Sequence, residues 1–480
     1  MINTQTKAFY KYRTQRENHW DGLAPSYCHN ALKAGYHRRL LEIYRFIVPA
    51  GLSVLEVGCG KGDLLAALEP LRGVGIDFSR EMLSHATKLH PALEFIYADA
   101  HDLEELKGPF DVIIFSDLLN DLWDVQRFLE QVRTLCNPST RVVCNFYSHL
   151  WALPLRLAQN ARLATPMLPQ NWLTVSDVCG LLHLTGFEMI SHRTDILFPL
   201  HIPVIAPLCN RFLSKVLPSS LFAMTHVVVA APAFPPKIED PLPTVSIIVP
   251  ARNEAGNIAS LLRRIPQMGG GVEVIFVEGG SSDGTFEAIE KEIFLHPQLN
   301  CRLIRQAGIG KGDAVRSGFE QASGEILIIL DADMTVAPED LTKFYQALAN
   351  YRGEFINGVR LVYPMHEKAM RFFNLIGNKF FSLAFTWLLG QTVKDTLCGT
   401  KALWNKDYKK LAAQRTYFGT LDPFGDFDLL FGAARLNLKI VDLPVRYSDR
   451  TYGATNINCW SHGWLLLRMV IIAARKLKFI

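Results

Sequence analysis

The stretch Val54-Leu55-Glu56-Val57-Gly58-Cys59-Gly60-Lys61-Gly62 joins a short apolar run to a turn that contains three glycines. The apolar run predicts a buried strand, and the glycines let backbone N–H groups approach a ligand without interference from Cβ atoms. A helix is predicted after the turn, and its positive N-terminal end points at the same place. The stretch therefore predicts the first strand, turn and helix of a layered α/β domain with a ligand site at the turn.

A second stretch, Leu330-Asp331-Ala332-Asp333, follows the apolar run of residues 325–330. Because side chains alternate along a strand, Asp331 and Asp333 are expected on the same side of the backbone. Two carboxylates at that spacing provide the hard oxygen ligands that Mg²⁺ or Mn²⁺ prefers, and such an ion neutralises a leaving diphosphate. The alternative is a solvent-facing turn without a ligand. The pair predicts a second site on the same chain.

Composition places the chain among folded proteins of enzyme size. Of its 480 residues, 49% are hydrophobic and 20% are charged, so about two or three domains with large buried sheets are expected. The net charge is only +4 and no long basic block is present, which argues against nucleic acid as a partner. The scattered cysteines include no Cys-x-x-Cys pair, which favours reduced thiols over disulfides or a zinc site.

Several stretches bear on membrane contact. Residues 1–20 have no apolar core, so no signal peptide is expected and the catalytic parts are expected to face the cytoplasm. No uncharged apolar run reaches the roughly 18 to 20 residues that a spanning helix needs. Residues 196–209, 372–389 and 464–474 are nevertheless apolar. The last is followed by basic residues 475–478, as in a helix lying in a membrane interface; the alternative is a helix packed on the core.

The proline-rich stretch of residues 231–243 predicts a linker, because repeated prolines disfavour helices and central strands. It divides the chain into domains of residues 1–230 and 244–480. In the first domain, strand patterns alternate with helical patterns, which predicts a parallel sheet covered by helices on both faces. Residues 187–192 and 225–230 are expected to close this sheet as an antiparallel hairpin.

Carboxylates that follow the next two strands complete the first predicted site. Asp77 ends the second strand at the spacing expected of a residue that accepts hydrogen bonds from both ribose hydroxyls. Asp99 ends the third strand, where a carboxylate reaches an adenine amino group. Nicotinamide cofactors use similar glycine turns, so the turn alone is ambiguous. Glu56 within the strand, Cys59 between the glycines and the Asp99-Ala100 step favour a different adenosine-type ligand.

These residues resemble the class I S-adenosylmethionine-dependent methyltransferases, and the resemblance covers residues 36–230. It implies a Rossmann-like α/β fold, S-adenosylmethionine as cofactor, and a cradle for its methionine part. The implied cofactor-binding residues are Glu56, Gly58, Cys59 and Gly60 at the methionine part, Asp77, Phe78 and Met82 at the ribose, Asp99 and Ala100 at adenine, and Ser116 and Asp117 beside the methyl group. Residues 136–140 depart from the family's usual Lys-Pro-Gly-Gly turn, which is expected to alter only a loop.

The methyl acceptor stays open. Some acceptors need a general base, and Asp117, His37 and His149 are candidates; the alternative for each histidine is a residue without a catalytic role. Candidates for lining the acceptor pocket are Tyr36, Asn145, Tyr147, Asn171 and Trp172. Residues 149–167 and 198–218 are expected as insertions near the acceptor side.

In the second domain, polar loops are expected at the carboxyl edge of another parallel sheet, where α/β proteins bind ligands. Glu254, Glu278 and Asp283 are predicted to converge there on one base and ribose. The glycine-rich residues 308–316 carry Lys311 toward a helix and suit a diphosphate. Their spacing differs from that of the phosphate-binding loop in nucleotide hydrolases.

This order of motifs resembles the family 2 glycosyltransferases with a GT-A nucleotide-diphospho-sugar transferase fold, over residues 244–478. The resemblance implies an inverting, metal-dependent transfer from a UDP- or GDP-hexose. The implied nucleotide-sugar-binding residues are Pro250, Ala251, Arg252, Glu254, Glu278, Lys311, Asp331, Ala332 and Asp333, with Asp331 and Asp333 also the metal ligands. Glu278 is followed by Gly279 where relatives usually have two aspartates, so the choice between uridine and guanosine stays open.

Later segments resemble the polyprenyl-phosphate hexosyltransferases of the dolichyl-phosphate mannose or glucose synthase type. The implied acceptor-binding residues are Arg360, Arg371, Lys401 and Arg450. In those relatives, arginines matching Arg360 and Arg450 hold the lipid phosphate, and helices matching residues 372–389 lie against the bilayer. Thr335 stands where mannose synthases often place a metal-binding Gln, and residues 453–455 also depart from the pattern.

Two further carboxylates, Asp426 and Asp428, stand where relatives that glycosylate hydroxyls place their catalytic base. A phosphate acceptor is already anionic and needs little help from a base. The alternatives are that Asp426 or Asp428 orients Arg446 or Arg450, or caps a helix.

The tandem resembles bacterial bifunctional methyltransferase and glycosyltransferase proteins of cell-surface glycan biosynthesis. The prediction is a cytoplasmic enzyme, peripheral on the inner face of the cell membrane, that methylates and glycosylates within one pathway. Two alternatives stay open: a soluble hydroxyl acceptor for the glycosyltransferase, and a first domain that is a non-catalytic binding or docking module.

Overall fold

The computed structural model describes residues 4–26, 34–161, 164–233, 241–360, 362, 372–415, 425–448, 450, 452 and 459–480. The chain forms two compact units. The first comprises Met1–Phe234 with Phe479–Ile480, and the second comprises Pro235–Lys478.

The first unit is built on a seven-stranded sheet in the order β3-β2-β1-β4-β5-β7-β6. Its strands are β1 (Ser53–Val57), β2 (Arg72–Asp77), β3 (Glu94–Tyr97), β4 (Val112–Ser116), β5 (Arg141–Tyr147), β6 (Phe187–Asp195) and β7 (Thr225–Pro232). Strands β1 to β5 run parallel, and β7 is inserted antiparallel between β5 and β6. The doubly wound sheet with a closing antiparallel hairpin is thereby confirmed.

Helices cover this sheet. They are α1 (Thr4–Leu23), α2 (Ala34–Ile47), α3 (Asp63–Ala67), α4 (Arg80–Leu89), α5 (Val125–Thr134), α6 (Ala152–Asn160), α7 (Val175–Leu184) and the short α8 (Ile205–Pro207). Short 3₁₀ turns span Ala24–Ser26, Leu119–Asp121, His149–Trp151, Leu213–Lys215 and Ser219–Phe222, and a π turn spans Leu208–Phe212. Side chains cap several helices; the hydroxyl of Ser79, for example, accepts a bond from the Met82 N–H at 3.2 Å at the start of α4.

Alternation along β1 produces an apolar core on each face of the first sheet. Val54 packs in a cluster with Leu40 and Tyr44 of α2, whereas its neighbour Leu55 packs in a cluster with Phe128 of α5. Each cluster consists of side chains that are almost fully excluded from water. Because a strand covered on both faces needs apolar side chains on each face, Val54 and Leu55 on opposite faces of β1 decide this layered fold.

The second unit has its own seven-stranded sheet, in the order β10-β9-β8-β11-β13-β12-β14. Its strands are β8 (Val245–Ala251), β9 (Val272–Glu278), β10 (Asn300–Arg305), β11 (Ile326–Ile329), β12 (Phe355–Val359), β13 (Lys401–Trp404) and β14 (Ile440–Pro444). Strands β10, β9, β8 and β11 are parallel, and β13 runs antiparallel to both β11 and β12. The predicted α/β architecture of this half is also confirmed, and the structure adds the antiparallel strand β13 to the sheet.

The helices of the second unit are α9 (Ala255–Arg264), α10 (Thr285–Leu295), α11 (Lys311–Gln321), α12 (Leu341–Ala349), α13 (Phe372–Leu389), α14 (Asn405–Ala413), α15 (Asp426–Arg435) and α16 (Cys459–Ala473). A 3₁₀ turn spans Pro338–Asp340 and a π turn spans Ala474–Lys478. One face of the sheet packs on α9 and α12 through residues such as Leu261 and Phe344. On the other face, Gly318 of α11 lies so close to Ile248 that a Cβ atom would meet it at 2.5 Å.

The predicted linker of residues 231–243 needs one correction. Strand β7 continues through Ala231 and Pro232, which pair with Glu188 and Phe187 of β6. Pro232 is accommodated because it is the last residue of the strand, where the missing N–H costs at most one ladder bond. Residues 234–240 of the predicted linker lie outside the described residues.

Candidate active sites

The glycine turn after β1 is held against the end of β2 by Asp77. One carboxylate oxygen accepts a hydrogen bond from the Gly60 N–H at 2.9 Å, and the other accepts one from the Ser79 N–H at 2.8 Å. Gly58 and Gly60 have φ values of 73° and 52°, in the left-handed region that favours glycine. Asp77 therefore organises the turn as well as standing at the strand end.

Glu56 lies beneath this turn, almost fully buried, and its Oε2 accepts a hydrogen bond from the Leu65 N–H of α3 at 3.0 Å. The pKa of Glu56 is raised to about 8, chiefly by burial; the hydrogen bond from Leu65 opposes this rise, and the nearby charges of Asp77 and Asp63 contribute to it. Burial likewise raises the pKa of Asp77 to about 6, against the hydrogen bonds from Ser79, Gly60 and Phe78. The pKa values of both carboxyl groups therefore lie close to neutral pH.

The remaining predicted cofactor-binding side chains surround the turn. Met82 is buried on α4, and Phe78 is half-buried just before that helix. Cys59 and Ala100 are also buried, and burial holds the pKa of the Cys59 thiol well above its usual range. The Cys59 side chain therefore contributes to packing, and its thiol does not form a reactive thiolate.

Asp99, at the end of the third strand, is already paired. Its Oδ1 accepts hydrogen bonds from the His101 N–H at 2.9 Å and from His101 Nδ1 at 2.8 Å, and Arg13 Nε lies 3.3 Å from its Oδ2. Burial acts to raise the pKa of Asp99, but the bonds from His101 and the charges of His101 and Arg13 outweigh it and lower the pKa. Asp99 is thus an ionised carboxylate with a cation from helix α1 at its side.

Helix α1 is the element that sequence reasoning missed. Arg16 Nε lies 2.8 Å from Asp121 Oδ1, and Glu17 accepts a hydrogen bond from the Tyr97 hydroxyl at 2.9 Å. Asp21 accepts one from the Ser79 hydroxyl at 2.5 Å. These contacts attach α1 to Ser79 after β2, to Tyr97 at the end of β3 and to Asp121 after β4. The available signal was the spacing of Arg13, Arg16, Glu17 and Trp20, which share one face of a helix.

Ser116 and Asp117 end β4 in a polar network. Asp117 accepts hydrogen bonds from the Tyr36 hydroxyl at 2.7 Å and from Asn145 Nδ2 at 2.5 Å. The Ser116 hydroxyl donates to Asn145 Oδ1 at 2.7 Å, as does the Tyr44 hydroxyl at 2.8 Å. Asp117 has a φ of 56°, a strained value for a non-glycine residue, and burial raises its pKa to about 6.

Other predicted acceptor-side residues divide into two groups. Tyr36 is buried in the Asp117 network, and Tyr147 packs on its ring at 5.9 Å. His37 and His149 are exposed. Asn171 donates to the carbonyl of Leu122 at 2.6 Å and so fastens a loop; Trp172 is half-buried. The structure brings Tyr36, Asn145 and Tyr147 to Asp117.

In the second unit, the polar loops meet at the carboxyl edge of β8, β9 and β11. Glu278 accepts a hydrogen bond from the Ser281 N–H at 2.5 Å, and Asp283 accepts one from the Thr285 hydroxyl at 2.5 Å. Burial acts to raise both pKa values, but hydrogen bonds from these serine and threonine groups lower them. Pro250 is half-buried, Ala251 is buried and Arg252 is exposed at the end of β8.

Asp331 and Asp333 follow β11 and each contacts a cation. Lys311 Nζ, at the start of α11, lies 2.5 Å from Asp331 Oδ1, and Arg450 Nη2 lies 2.6 Å from Asp333 Oδ2. Arg450 also lies 3.5 Å from Glu254. Burial acts to raise the pKa of Asp331, but the charge of Lys311 outweighs it and the pKa is lowered. Ala332 is buried between the two aspartates.

Gly399 allows the backbone to approach the Asp331–Lys311 pair closely. A Cβ atom at Gly399 would collide with both the Asp331 carboxylate and the Lys311 ammonium group. Carboxylates are hard oxygen donors of the kind that suits a divalent cation. Within the described residues, no cluster of three or more His, Cys, Asp or Glu side chains is arranged to hold a metal, so any ion here would complete its shell from a ligand or water.

Asp426 and Asp428 stand on different sides of α15. Asp426 Oδ1 lies 3.0 Å from Nζ of Lys401, a lysine that is fully buried on β13. Asp428 Oδ2 instead lies 3.6 Å from Arg316 of α11. Residues two apart on a helix do not face the same way, which explains the division. Gly425, not an aspartate, occupies the N-cap position of this helix.

The predicted acceptor-binding arginines also differ from one another. Arg360 forms a two-pronged pair with the buried Asp395, with Nε at 2.7 Å and Nη2 at 2.9 Å from its two oxygens. Such a buried pair consumes much of the donor capacity of the guanidinium group. Arg450 is at the carboxyl edge beside Asp333 and Glu254. Arg371 lies outside the described residues.

Helix α13 presents Phe380, Leu383 and Trp387 to the outside, all of them exposed. Their spacing places them on one helical face. Among the described helices, none combines the length and apolarity that crossing a membrane requires.

Comparisons with known proteins agree with the two units. The model of glycosyl transferase family 2 matches residues 246–429, and a methyltransferase domain model matches residues 29–192. Glycosyltransferase AglJ of Haloferax volcanii is 30% identical over 225 residues, which are 46% of this chain and 69% of that protein. Dolichyl-phosphate beta-glucosyltransferase ALG5C of Trichomonas vaginalis is 29% identical over 291 residues, covering 53% of this chain and 83% of that protein.

A solved structure similar to the first unit is magnesium protoporphyrin IX methyltransferase from Synechocystis with bound S-adenosylhomocysteine. It is 15% identical, with a TM-score of 0.34, and the match covers 46% of this chain and 100% of that one. The expected α/β architecture and the expected methyltransferase and family 2 glycosyltransferase domains are confirmed by the two sheets and the two family models. The chain therefore belongs to the family 2 glycosyltransferases through its second unit, and its first unit is a methyltransferase domain.

Proposed function

We propose that the chain is a bifunctional enzyme, in which the first unit transfers a methyl group from S-adenosylmethionine and the second transfers a hexose from a UDP- or GDP-sugar. The proposed glycosyl acceptor is a polyprenyl phosphate or a related glycan-pathway intermediate at the cytoplasmic face of the membrane. One observation carries the proposal: each sheet has its own set of carboxylates at its carboxyl edge, Asp77 with Asp99 in the first and Asp331 with Asp333 in the second.

In the first unit, the turn from Glu56 to Gly60 would hold the methionine part of the cofactor, Asp77 the ribose and Asp99 the adenine. The open backbone of the two left-handed glycines supports this fit, because a side chain there would fill the approach. S-adenosylmethionine would supply the methyl group. Asp117, oriented by Tyr36 and Asn145, is proposed to take the proton of an acceptor hydroxyl.

In the second unit, Glu254, Glu278 and the other residues at the end of β8 are proposed to hold the nucleoside, and Lys311 the diphosphate. Asp331 and Asp333 would hold Mg²⁺ or Mn²⁺, which would neutralise charge on the leaving diphosphate. Lys311 and Arg450 neutralise these carboxylates in the structure, so a bound ion would replace them as the positive partner.

A phosphate acceptor is favoured by the environment of Asp426. Its carboxylate lies 3.0 Å from the buried Lys401 ammonium group, which makes it a counter-ion rather than a free base. A phosphate acceptor needs no base, since its oxygen is already anionic. The dolichyl-phosphate acceptor in the name of the Trichomonas relative supports the same class. We propose Arg450, at the carboxyl edge of the sheet, as a binding group for this phosphate, whereas Lys401 is fully buried against Asp426 and does not reach it.

Contact with the inner membrane surface is supported by the exposed stripe of Phe380, Leu383 and Trp387 on α13. An apolar helix with an exposed stripe of this kind would bring the second site to a lipid-linked acceptor. We propose peripheral attachment of the second unit through this helix.

A ligand panel measured by thermal shift tests the proposal, because a ligand that binds only the folded state raises its apparent stability. The ligands are S-adenosylhomocysteine, UDP and GDP, each with and without Mn²⁺. We expect stabilisation by S-adenosylhomocysteine without metal and by one nucleotide only with Mn²⁺. Asp77→Ala should remove the first response alone, and Asp331→Asn with Asp333→Asn the second alone. Absence of the first response in the wild-type protein would refute the methyltransferase half.

A further inference from the structure

The insertion between β6 and β7 buries polar side chains and exposes apolar ones. Asn210 is buried and bonds with both backbone groups of Phe198 at 2.8 Å. The buried Lys215 ammonium group is paired with Asp195, and the carbonyl of buried Ser214 accepts a bond from the Thr194 hydroxyl at 2.8 Å. Asn210 thus holds the segment together internally, and Ser214 and Lys215 attach it to β6.

Several apolar side chains of the insertion are instead exposed. Leu217 is 71% exposed, Leu221 59% and Phe222 60%. In a segment that faces only water, leucine and phenylalanine side chains are expected to be buried, because burying apolar surface is favourable. Asparagine and lysine side chains are expected to be exposed, because burying polar or charged groups costs free energy. For the residues named here, the structure shows the opposite arrangement.

Helix α6 and the turn before it extend the same surface. Trp151 Nε1 donates to the carbonyl of Phe222 at 2.8 Å, which joins the two segments. Leu153 and Leu157 lie one helical turn apart on α6 and are 66% and 59% exposed, and Leu150 just before them is also exposed. We call the surface formed by Leu150, Leu153, Leu157, Leu217, Leu221 and Phe222 the outer apolar face.

The two segments that form this face contain no carboxylate of their own. No Asp or Glu occurs in residues 131–176 or in residues 196–238. Arg156 on α6 and Arg211 in the insertion are exposed, and Arg211 lies 3.8 Å from Glu42 of α2. Exposed apolar groups in segments that carry cations but no acidic residues match the interface of a bilayer that contains anionic lipids. A contiguous exposed apolar patch marks an interaction site in a folded protein.

We propose that the methyltransferase unit docks on an anionic lipid surface through the outer apolar face, and that its methyl acceptor is a membrane-bound molecule. The statement about the acceptor rests on the proposed methyl transfer, whereas the docking does not. The face belongs to the first unit and is distinct from the exposed stripe of α13.

Co-sedimentation with vesicles tests the docking, using the full chain and vesicles of phosphatidylcholine with or without an equal part of phosphatidylglycerol. The variants are Leu153→Glu with Leu157→Glu, and Leu217→Glu with Leu221→Glu. The matched control is Leu71→Glu with Leu184→Glu, which adds the same charge at leucines that are 86% and 71% exposed elsewhere on the unit. We expect each face variant to lower the partition onto anionic vesicles about tenfold relative to the control.

Equal partition of face and control variants would overturn the docking. So would a wild-type chain that is dimeric without vesicles and becomes monomeric in the face variants, since the face would then bind a second copy. Serine substitutions at the same leucines serve if a glutamate variant fails to fold, as judged by loss of the thermal transition. The S-adenosylhomocysteine shift is recorded for every variant, so failure of the proposed methyltransferase site is seen separately.

A separate labelling experiment tests whether the methyl acceptor is bound to the membrane. Membranes incubated with the enzyme and methyl-labelled S-adenosylmethionine are extracted with organic solvent. We expect label in the organic phase with the wild-type chain and a several-fold smaller amount with the Leu153→Glu, Leu157→Glu variant. Label confined to the aqueous phase would overturn the assignment of a membrane-bound acceptor.

Discussion

Lys311 Nζ lies 2.5 Å from Asp331 Oδ1, so the lysine that begins α11 neutralises the first carboxylate of the proposed metal site. The charge of Asp331 raises the pKa of Lys311, although burial acts in the opposite direction. Both groups are therefore charged at neutral pH. A divalent cation that binds Asp331 has to compete with this ammonium group, and the diphosphate provides Lys311 with a new anionic partner.

Replacement of Lys311 by Met should therefore strengthen metal binding and weaken nucleotide binding. We expect the affinity for Mn²⁺ alone to rise about tenfold, because a nearby like charge is removed, and the affinity for the nucleotide to fall by a similar factor. Isothermal titration with Mn²⁺, UDP and GDP measures both. Lys343→Met is the control, since Lys343 forms an exposed pair with Asp340 at 2.6 Å. Unchanged Mn²⁺ affinity would show that Asp331 is not a metal ligand.

The buried pair of Lys401 and Asp426 predicts a large stability effect. Lys401→Met leaves the buried Asp426 carboxylate without its partner and should lower the free energy of unfolding of the second unit by about 3 to 5 kcal/mol. Adding Asp426→Leu removes the orphaned charge and should restore most of the loss. Urea unfolding measures both variants.

Lys410→Met serves as the matched control for that experiment, because Lys410 is exposed and lies 3.5 Å from Asp407. Its effect should stay below about 1 kcal/mol. If the double variant is no more stable than Lys401→Met alone, the two side chains are not energetically coupled.

Arg13 predicts an effect on cofactor affinity. Its Nε lies 3.3 Å from Asp99, the carboxylate proposed for adenine, so it competes with the adenine amino group for the same oxygens. Arg13→Ala should raise the affinity for S-adenosylhomocysteine about threefold to tenfold. Calorimetric titration provides the measurement, with Lys11→Ala, an exposed cation on the same helix, as control. A weaker complex would mean that Arg13 contributes to the binding site.

Glu56 predicts how the stability of the first unit depends on pH. Its pKa is raised from 4.5 to about 8 by burial, so between these values the folded state holds a proton that the unfolded state has lost. Stability contributed by the neutral carboxyl is full below about pH 4.5 and decreases as pH rises toward 8, by at most about 1.4 kcal/mol per pH unit.

Glu56→Gln should flatten this pH dependence, because the amide keeps an acceptor for the Leu65 N–H but does not titrate. Thermal unfolding in a pH series compares it with the wild-type chain and with Glu104→Gln, an exposed control. An equal slope in all three proteins would place the pH dependence on other groups.

Much of the architecture follows from local patterns. The apolar runs before Gly58 and Asp331 predict buried strands, and their polar endings predict sites at the carboxyl edges of two sheets, because strand direction and edge are set together in an alternating α/β chain. The positions of Asp77, Asp99, Asp331 and Asp333 at strand ends were predictable for this reason. The extension of β7 to Pro232 was not predictable, because the end of a strand depends on whether its last residues find a partner in the neighbouring strand.

The ion-pair partners depended on the tertiary structure. Asp99 forms an ion pair with Arg13, and Asp333 forms one with Arg450. Arg360 pairs with Asp395, so it is less available to bind a phosphate. A pattern read along the chain places a residue on an element, but it does not say which distant element approaches it. The pairing of charges, the attachment of helix α1 and the outward direction of the insertion's leucines are settled by packing, because burial and electrostatic energies depend on distances in space.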